Sequence, residues 1–192
     1  MNSKIQCVAF DGARRIASGD LSKVALAVMK AGAVNALIFD EITSEPIELE
    51  TTTPGLDARS IPRRSLRNEA IPKEPPAPGR PKLGVVAREV TLLPRHWDWL
   101  SLQPGGASVA LRKLVDEARR VHYDSDRLRM SKEAAYRFVS ALAGDEQGFE
   151  EAIRGLFAGD PIRFAQHSQT WPEDVREHAA NLAARVFEGN PL

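Results

Sequence analysis

Residues 88–120 read REVTLLPRHWDWLSLQPGGASVALRKLVDEARR, and local signals follow one another clearly along this stretch. The β-branched and apolar residues before Pro94 predict a short strand over 86–93. Pro94 suits a helix start, and a helix is predicted over 95–103. A Pro-Gly-Gly turn ends it, and apolar residues at helical spacing predict a second helix over 107–121. The stretch is therefore expected to form a strand and two helices.

This order of elements resembles the ribbon-helix-helix module of bacterial repressors and antitoxins. The resemblance implies a homodimer, because two copies pair their strands into one antiparallel ribbon and share a core. It also implies that the ribbon enters the major groove of double-stranded DNA. The N-terminus of the second helix would offer amides to a phosphate. Trp97 and Leu100 would support the strand from the helix side.

The side-chain alternation of the predicted strand leaves two orientations open. Its two faces are Leu93, Thr91 and Glu89 on one side and Leu92, Val90 and Arg88 on the other. If Leu93 faces the core, Arg88 faces the groove together with two apolar residues. The opposite orientation gives a better core but exposes Leu93. Both choices weaken direct base readout, which needs polar groups on the groove face.

Within the DNA-binding hypothesis, five residues are candidate contacts. Arg88 is the candidate for a base edge, since a guanidinium can bind guanine through two hydrogen bonds. Arg95, at a helix start, is expected to reach a backbone phosphate. Ser108, at or near the N-cap of the second helix, is expected to hold another phosphate. Arg80 and Lys82 belong to a basic arm that would contact phosphates or the minor groove without much sequence preference.

That arm lies in a Pro-rich segment, residues 51–82, which is predicted to be an extended linker. Residues 51–95 carry nine basic and four acidic groups, whereas the whole chain has a formal net charge of zero. A local basic excess favours a polyanionic partner or simply keeps a linker solvated. Gly79-Arg80-Pro81 resembles the core of the minor-groove AT-hook, although proline replaces the usual basic residue before the glycine. The alternative is a linker that contains these three residues by chance.

The remaining sequence predicts an α+β protein with four parts. Residues 1–50 read as a small ββαββ domain, with strands over 4–10, 14–17, 36–40 and 47–50 and a helix from Leu21 to a stop at Gly32. The Pro-rich linker 51–82 and the ribbon-helix-helix-like segment 83–122 follow. Residues 123–192 form a helical C-terminal region, with helices predicted over 131–143, 146–158, 161–169 and 172–187.

Taken whole, the chain resembles a bacterial family of uncharacterised proteins, domain of unknown function 2239. Three blocks carry the resemblance: FDGARRIASGDL near the start; GRPKLGVVAREVTLLPRHWDWL and QPGGASVALRKLVDEARR in the middle; and AGDEQGFEEAIRGLFAGD with WPEDVREHAANLA at the end. The resemblance implies that the three blocks belong to one type of protein, and it implies no activity.

Enzymatic signatures are absent from the sequence. The four histidines include no pair at helical metal-ligand spacing, and no phosphate-binding or nucleophile motif occurs. The single cysteine, Cys7, excludes an internal disulfide and is expected to be a buried small hydrophobe. His178 shares the apolar face of the last helix and is expected to be a core histidine with its hydrogen bonds satisfied. Glu173, Asp174 and Glu177 suit the start of that helix.

No apolar run reaches the roughly 20 residues of a membrane span, and no signal peptide is evident, so a cytoplasmic location without membrane contact is expected. The sequence therefore favours a non-enzymatic protein without a cofactor. The leading hypothesis is a dimeric DNA-binding regulator. The alternative is a non-catalytic protein that binds a protein partner.

Overall fold

A computed structural model describes residues 5–49 and 86–188. The chain divides into two compact units, and the described residues fall into both of them. The first unit combines residues 1–64 with residues 124–192, and the second comprises residues 65–123. The predicted linker 51–82, with Arg80 and Lys82, lies outside the described residues.

Three strands and seven helices make up the described part, so the predicted α+β class is confirmed. The second unit contains α2 (Pro94–Ser101) and α3 (Gly106–Val121). The other elements are β1 (Gln6–Asp11), β2 (Arg14–Asp20), α1 (Leu21–Ala31), β3 (Leu37–Asp40), α4 (Tyr123–Leu142), α5 (Phe149–Ala158), α6 (Pro161–His167) and α7 (Glu173–Glu188). None of the helices in the described ranges is long and apolar enough to cross a membrane.

The sheet is antiparallel, and the central strand β1 lies between β2 and β3. Successive side chains of a strand point to opposite faces, and both faces of β1 are buried. Cys7 and Ala9 pack in a cluster with residues of α1, and Val8 and Phe10 pack in a second cluster with residues of the C-terminal helices. β1 therefore contributes to two hydrophobic clusters at once.

The first helix has the boundaries that its sequence signals predict. Leu21, Val24 and Val28 form its buried face, at helical spacing. Gly32 follows the helix with a φ of 64°, a left-handed conformation that glycine adopts without steric cost. The predicted stop at Gly32 is confirmed.

The predicted fourth strand, over 47–50, is not formed in the described residues. One isolated bridge joins Phe39 to Pro46, and the amide of Ile47 donates to the carbonyl of Ile38 at 2.7 Å. Pro46 has no N–H, so it cannot donate to a regular ladder at this position. The chain therefore passes β3 with Ile47 buried but without a continuing strand.

The two ends of the chain, which the sequence divides into separate domains, share a core in the structure. Val8, Phe10 and Phe39 from the sheet belong to the same buried cluster as Phe138 of α4 and Leu182 of α7. The ring centroids of Phe10 and Phe138 are 5.3 Å apart, and those of Phe39 and Phe138 are 5.5 Å apart. Such tilted and edge-on arrangements are the favourable geometries for aromatic pairs. The N-terminal sheet and the C-terminal helices thus stabilise one another.

The C-terminal helices follow their predicted positions with two shifts. Pro161 starts α6 behind Asp160, whose side chain accepts a hydrogen bond from the amide of Arg163 at 3.0 Å. α4 begins at Tyr123, eight residues earlier than predicted. α5 begins at Phe149 rather than at Glu146, because Gly148 has a left-handed conformation just before it.

Candidate nucleic-acid interface

The candidate interface consists of the described part of the second unit, residues 86–123. Its first eight residues, 86–93, form no strand, in contrast to the predicted ribbon strand. An antiparallel ribbon requires a second strand, and no strand in the described ranges pairs with this segment. Within the described residues the segment therefore forms no ribbon, and Arg88 lies in it at an exposed position.

Helix α2 begins directly after this segment. Leu93 is its N-cap, and the carbonyl of Leu93 accepts hydrogen bonds from the amides of His96 and Trp97 at 2.9 and 3.3 Å. Pro94 stands in the first turn, where the missing N–H costs no helical hydrogen bond. Arg95 follows it and is exposed, as its candidate role requires.

The turn between the two helices places Ser108 near the N-cap of α3 but not at it. Gly105 is the N-cap of α3, with a φ of 86°, and no side chain caps this helix. Ser108 instead occupies the third position inside α3 and is exposed. Glycine takes the cap because the preceding turn requires a left-handed backbone, which serine rarely adopts. Ser108 can still face a ligand at the helix start, although its hydroxyl does not cap the helix.

Basic residues are spread over this unit. Six lie within 86–123, together with four acidic residues: Arg88, Arg95, Arg112, Lys113, Arg119 and Arg120 against Glu89, Asp98, Asp116 and Glu117. All six basic residues are exposed. The excess of positive charge in the described part of the unit is therefore modest, and the other two predicted contacts, Arg80 and Lys82, lie outside it.

Exposed apolar residues are the main feature that sequence reasoning did not anticipate in full. Only Leu100 and Ala110 are buried among residues 86–123. Ten large apolar side chains of the same range are exposed: Val86, Val90, Leu93, Trp97, Trp99, Leu102, Leu114, Val115, Val121 and Tyr123. This many exposed large apolar side chains in a short range is a feature that protein interfaces share.

Part of that surface forms a helical face on α3. Leu111, Leu114, Val115 and Ala118 recur at the spacing of one helical side, and the last three are exposed. In the two-copy module that the resemblance implies, this face of the second helix would pack in the shared core. The helical spacing of the four residues is the signal for it, and the exposure of the last three in one chain is what an unfilled half of such a core would show.

Burial within residues 86–93 selects neither orientation of the predicted strand. Leu92 is partly buried, whereas Leu93 is 49% exposed and Val90 is 53% exposed. Arg88, Glu89 and Thr91 are exposed as well, and the segment forms no strand to which a two-residue alternation would apply.

No group of three or more His, Cys, Asp or Glu side chains within the described ranges is arranged to hold a metal ion. No curated protein and no solved structure matches the chain. The family described as uncharacterized protein conserved in bacteria, DUF2239, matches it over residues 6–183. That range includes the sheet, the candidate interface and most of α7, and the chain therefore belongs to the bacterial DUF2239 family.

Proposed function

We propose that the protein is a cytoplasmic DNA-binding regulator that acts as a homodimer through residues 86–123. In this proposal, residues 86–93 of two copies pair as an antiparallel ribbon, and α2 and α3 of both copies close one core. The observation that carries the proposal is the exposed apolar face of α3, together with a segment, residues 86–93, that pairs with no strand in the described ranges. Within residues 86–123, the two buried residues contribute little hydrophobic free energy. A second copy would supply the missing contacts.

The exposed basic side chains support the nucleic-acid part of the proposal. Arg95 at the start of α2 and Arg112 and Lys113 on α3 are exposed, as a phosphate contact requires. Arg88 is the proposed base reader, and Arg80 and Lys82 are proposed to add sequence-independent contacts from the preceding arm. Phosphate neutralisation by such residues releases counterions, so the affinity should fall as salt rises.

The alternative is a non-catalytic protein that binds a protein partner, and one observation favours it. Glu89 is exposed next to Arg88, together with the apolar Val90 and Leu93. An exposed carboxylate in this segment would be repelled by DNA. The same apolar surface would then contact another protein.

The test combines the oligomeric state with DNA binding. Light scattering at tens of micromolar should give a dimer, and a mixed-sequence duplex should bind with an affinity that falls steeply with salt. Lys82→Ala should weaken binding to all duplexes alike and lower the salt slope by about one unit, whereas Arg88→Ala should relax sequence preference. Lys23→Ala, an exposed lysine of α1, is the matched control and should change neither quantity.

Two results would contradict the proposal. A monomer at these concentrations would contradict the proposed ribbon, because the ribbon needs two copies of the chain. A folded dimer whose duplex affinity is unchanged by Arg88→Ala and Lys82→Ala would exclude the regulator and favour the protein-binding alternative.

A further inference from the structure

An open cavity of about 260 Å³ lies in the first unit, on the side of the sheet that faces α7. Its polar lining comes from β2, from the residue after β3 and from α7: Arg15, Ser18, Glu41, His178, Asn181 and Arg185. The volume suits a small molecule rather than a macromolecular segment. This cavity is separate from the residues of the proposed DNA interface, and an inference about it does not depend on that function.

A β-bulge places Arg15 in the cavity. Ala9 pairs with Ala17, but the next residue of β1, Phe10, pairs with Arg15, so Ile16 is the extra residue of β2. Regular alternation would put Arg15 on the same face as Ala17. The extra residue reverses this and puts Arg15 on the face of Phe10, where Ser18 also lies, opposite Val8. Bulges often redirect a side chain in this way beside functional sites.

Helix α7 supplies the opposite wall. His178, Asn181 and Arg185 line the cavity together with Leu182. Relative to His178, Asn181 is at i+3, Leu182 at i+4 and Arg185 at i+7, so these residues share one side of the helix. The helix thus presents a guanidinium, an amide and an imidazole to the same space as Arg15.

The charge of the lining favours a ligand with a single negative charge. Arg185 donates to the carbonyl of Glu41 at 3.1 Å, and no carboxylate pairs with its guanidinium among the described residues. Arg15 pairs with Glu177 at 3.1 Å, but the Arg15 side chain remains partly exposed. Glu41 contributes the one carboxylate of the lining, so Arg185 is the main source of positive charge for a ligand. That carboxylate would repel a polyanion.

His178 adds a neutral aromatic wall to the cavity. The residue is only 7% exposed, and its Nε2 has neither accessible surface nor a hydrogen-bond partner among the described residues. Its ring packs against Phe10 and Phe138, with centroids 5.8 and 4.5 Å away. Burial and, to a smaller extent, the charges of Arg15 and Arg185 lower the pKa of His178 to about 4, while Glu177 opposes this. The imidazole is therefore neutral near pH 7 and adds no charge to the lining.

We propose that this cavity binds the carboxylate or phosphate group of a small monoanionic molecule through the guanidinium groups of Arg15 and Arg185, which both line it. Two guanidinium groups provide the charge and the planar donors that such oxyanions prefer. Ser18 and Asn181 are in place to bind neutral polar atoms of the same molecule. Glu41 restricts the site to ligands of low charge.

The test uses the full chain and measures thermal unfolding at constant ionic strength while acetate or inorganic phosphate replaces chloride. A ligand that binds only the folded state raises the melting temperature in a saturable manner. We expect saturation with acetate at pH 7 and with phosphate at pH 6, where its monoanion predominates. Citrate, a polyanion, should give no saturable shift. A saturable shift with acetate but not with phosphate would identify a carboxylate ligand. A saturable shift with phosphate but not with acetate would identify a phosphate ligand.

Matched variants locate the effect. Arg185→Gln and Arg15→Gln should each weaken the apparent affinity for the anion at least tenfold. Arg129→Gln, an exposed and ion-paired arginine on α4 of the same unit, should not change it. Saturation that is equal in all three variants, or its absence with both anions in the wild type, would overturn the proposal.

Discussion

The backbone amide of Arg15 donates a hydrogen bond of 2.8 Å to Oδ2 of Asp174, which lies 159 residues later in the chain. The donor belongs to the bulged strand β2, and the acceptor stands in the first turn of α7. The guanidinium of Arg15 also pairs with Glu177, one turn further on. Asp174 and Glu177, which the sequence analysis explains by the helix dipole, therefore also attach α7 to the sheet.

Replacing Asp174 should destabilise the protein through this contact. Asp174→Ala leaves the partly buried amide of Arg15 without its acceptor, and a loss of about 1–3 kcal/mol is expected. Asp174→Asn keeps an acceptor oxygen and should lose less. Urea unfolding measures the free energy of unfolding of both variants. Glu173→Ala changes a neighbouring first-turn carboxylate, and an equal loss in that variant would mean that the helix start, rather than the hydrogen bond, is responsible.

Phe138→Ala should destabilise the sheet and the helices together. Phe138 is fully buried and contacts both Phe10 and Phe39, so its truncation is expected to cost about 3–5 kcal/mol. Hydrogen exchange should show that amides of β1 and α7 lose protection to the same extent. Phe157→Ala, at a half-exposed position of α5, is the control with a smaller expected loss. Retained protection in β1 would show that the N-terminal sheet is stable without the helices.

The stability of the protein should fall as the pH decreases from about 6.5 towards 4. His178 has a pKa of about 4 in the folded protein against an ordinary value of 6.5, so the unfolded chain binds the proton first. The contribution of His178 to the free energy of unfolding is complete above pH 6.5. It is lost as the pH falls from 6.5 to about 4, by on the order of 3 kcal/mol in total. Urea unfolding at several pH values gives the slope. The slope of His178→Phe should be shallower, and identical slopes would contradict the assignment.

Cys7 should be unreactive in the native protein. Burial, and then the negative charges of Asp40, Glu41 and Asp20, raise the pKa of its thiol to about 11. Only the thiolate reacts quickly with disulfide reagents, so at pH 8 labelling should be slow in the folded state and fast in urea. Equal labelling rates in the two conditions would mean that β1 opens readily, contrary to its central and buried position in the sheet.

Leu114→Glu should test the proposed association without disturbing the first unit. Leu114 is 45% exposed, and a charge there disfavours burial against a second copy. Light scattering should show a shift from dimer to monomer, while the unfolding of the first unit stays unchanged. Lys113→Glu, next to it on α3, introduces the same residue at a site outside the apolar face and serves as the control.

The sequence by itself determined the features that depend on neighbouring residues. The stop of α1 at Gly32, the start of α6 at Pro161 behind Asp160 and the helix pair around Gly105 all follow from local backbone preferences. Buried Cys7 follows from the apolar character of its strand. These signals act within a few residues, and composition and spacing are enough to read them.

Only the tertiary structure decided which distant elements share a core and which side chains meet in a cavity. A single extra residue, Ile16, turns Arg15 towards α7, and a regular period of two cannot reveal such a bulge. His178 has the helical spacing of a core residue, yet its unsatisfied Nε2 becomes visible only once Phe10 and Phe138 surround its ring. Contacts between residues more than a hundred positions apart depend on the packing of the whole unit, and local propensity carries no information about them.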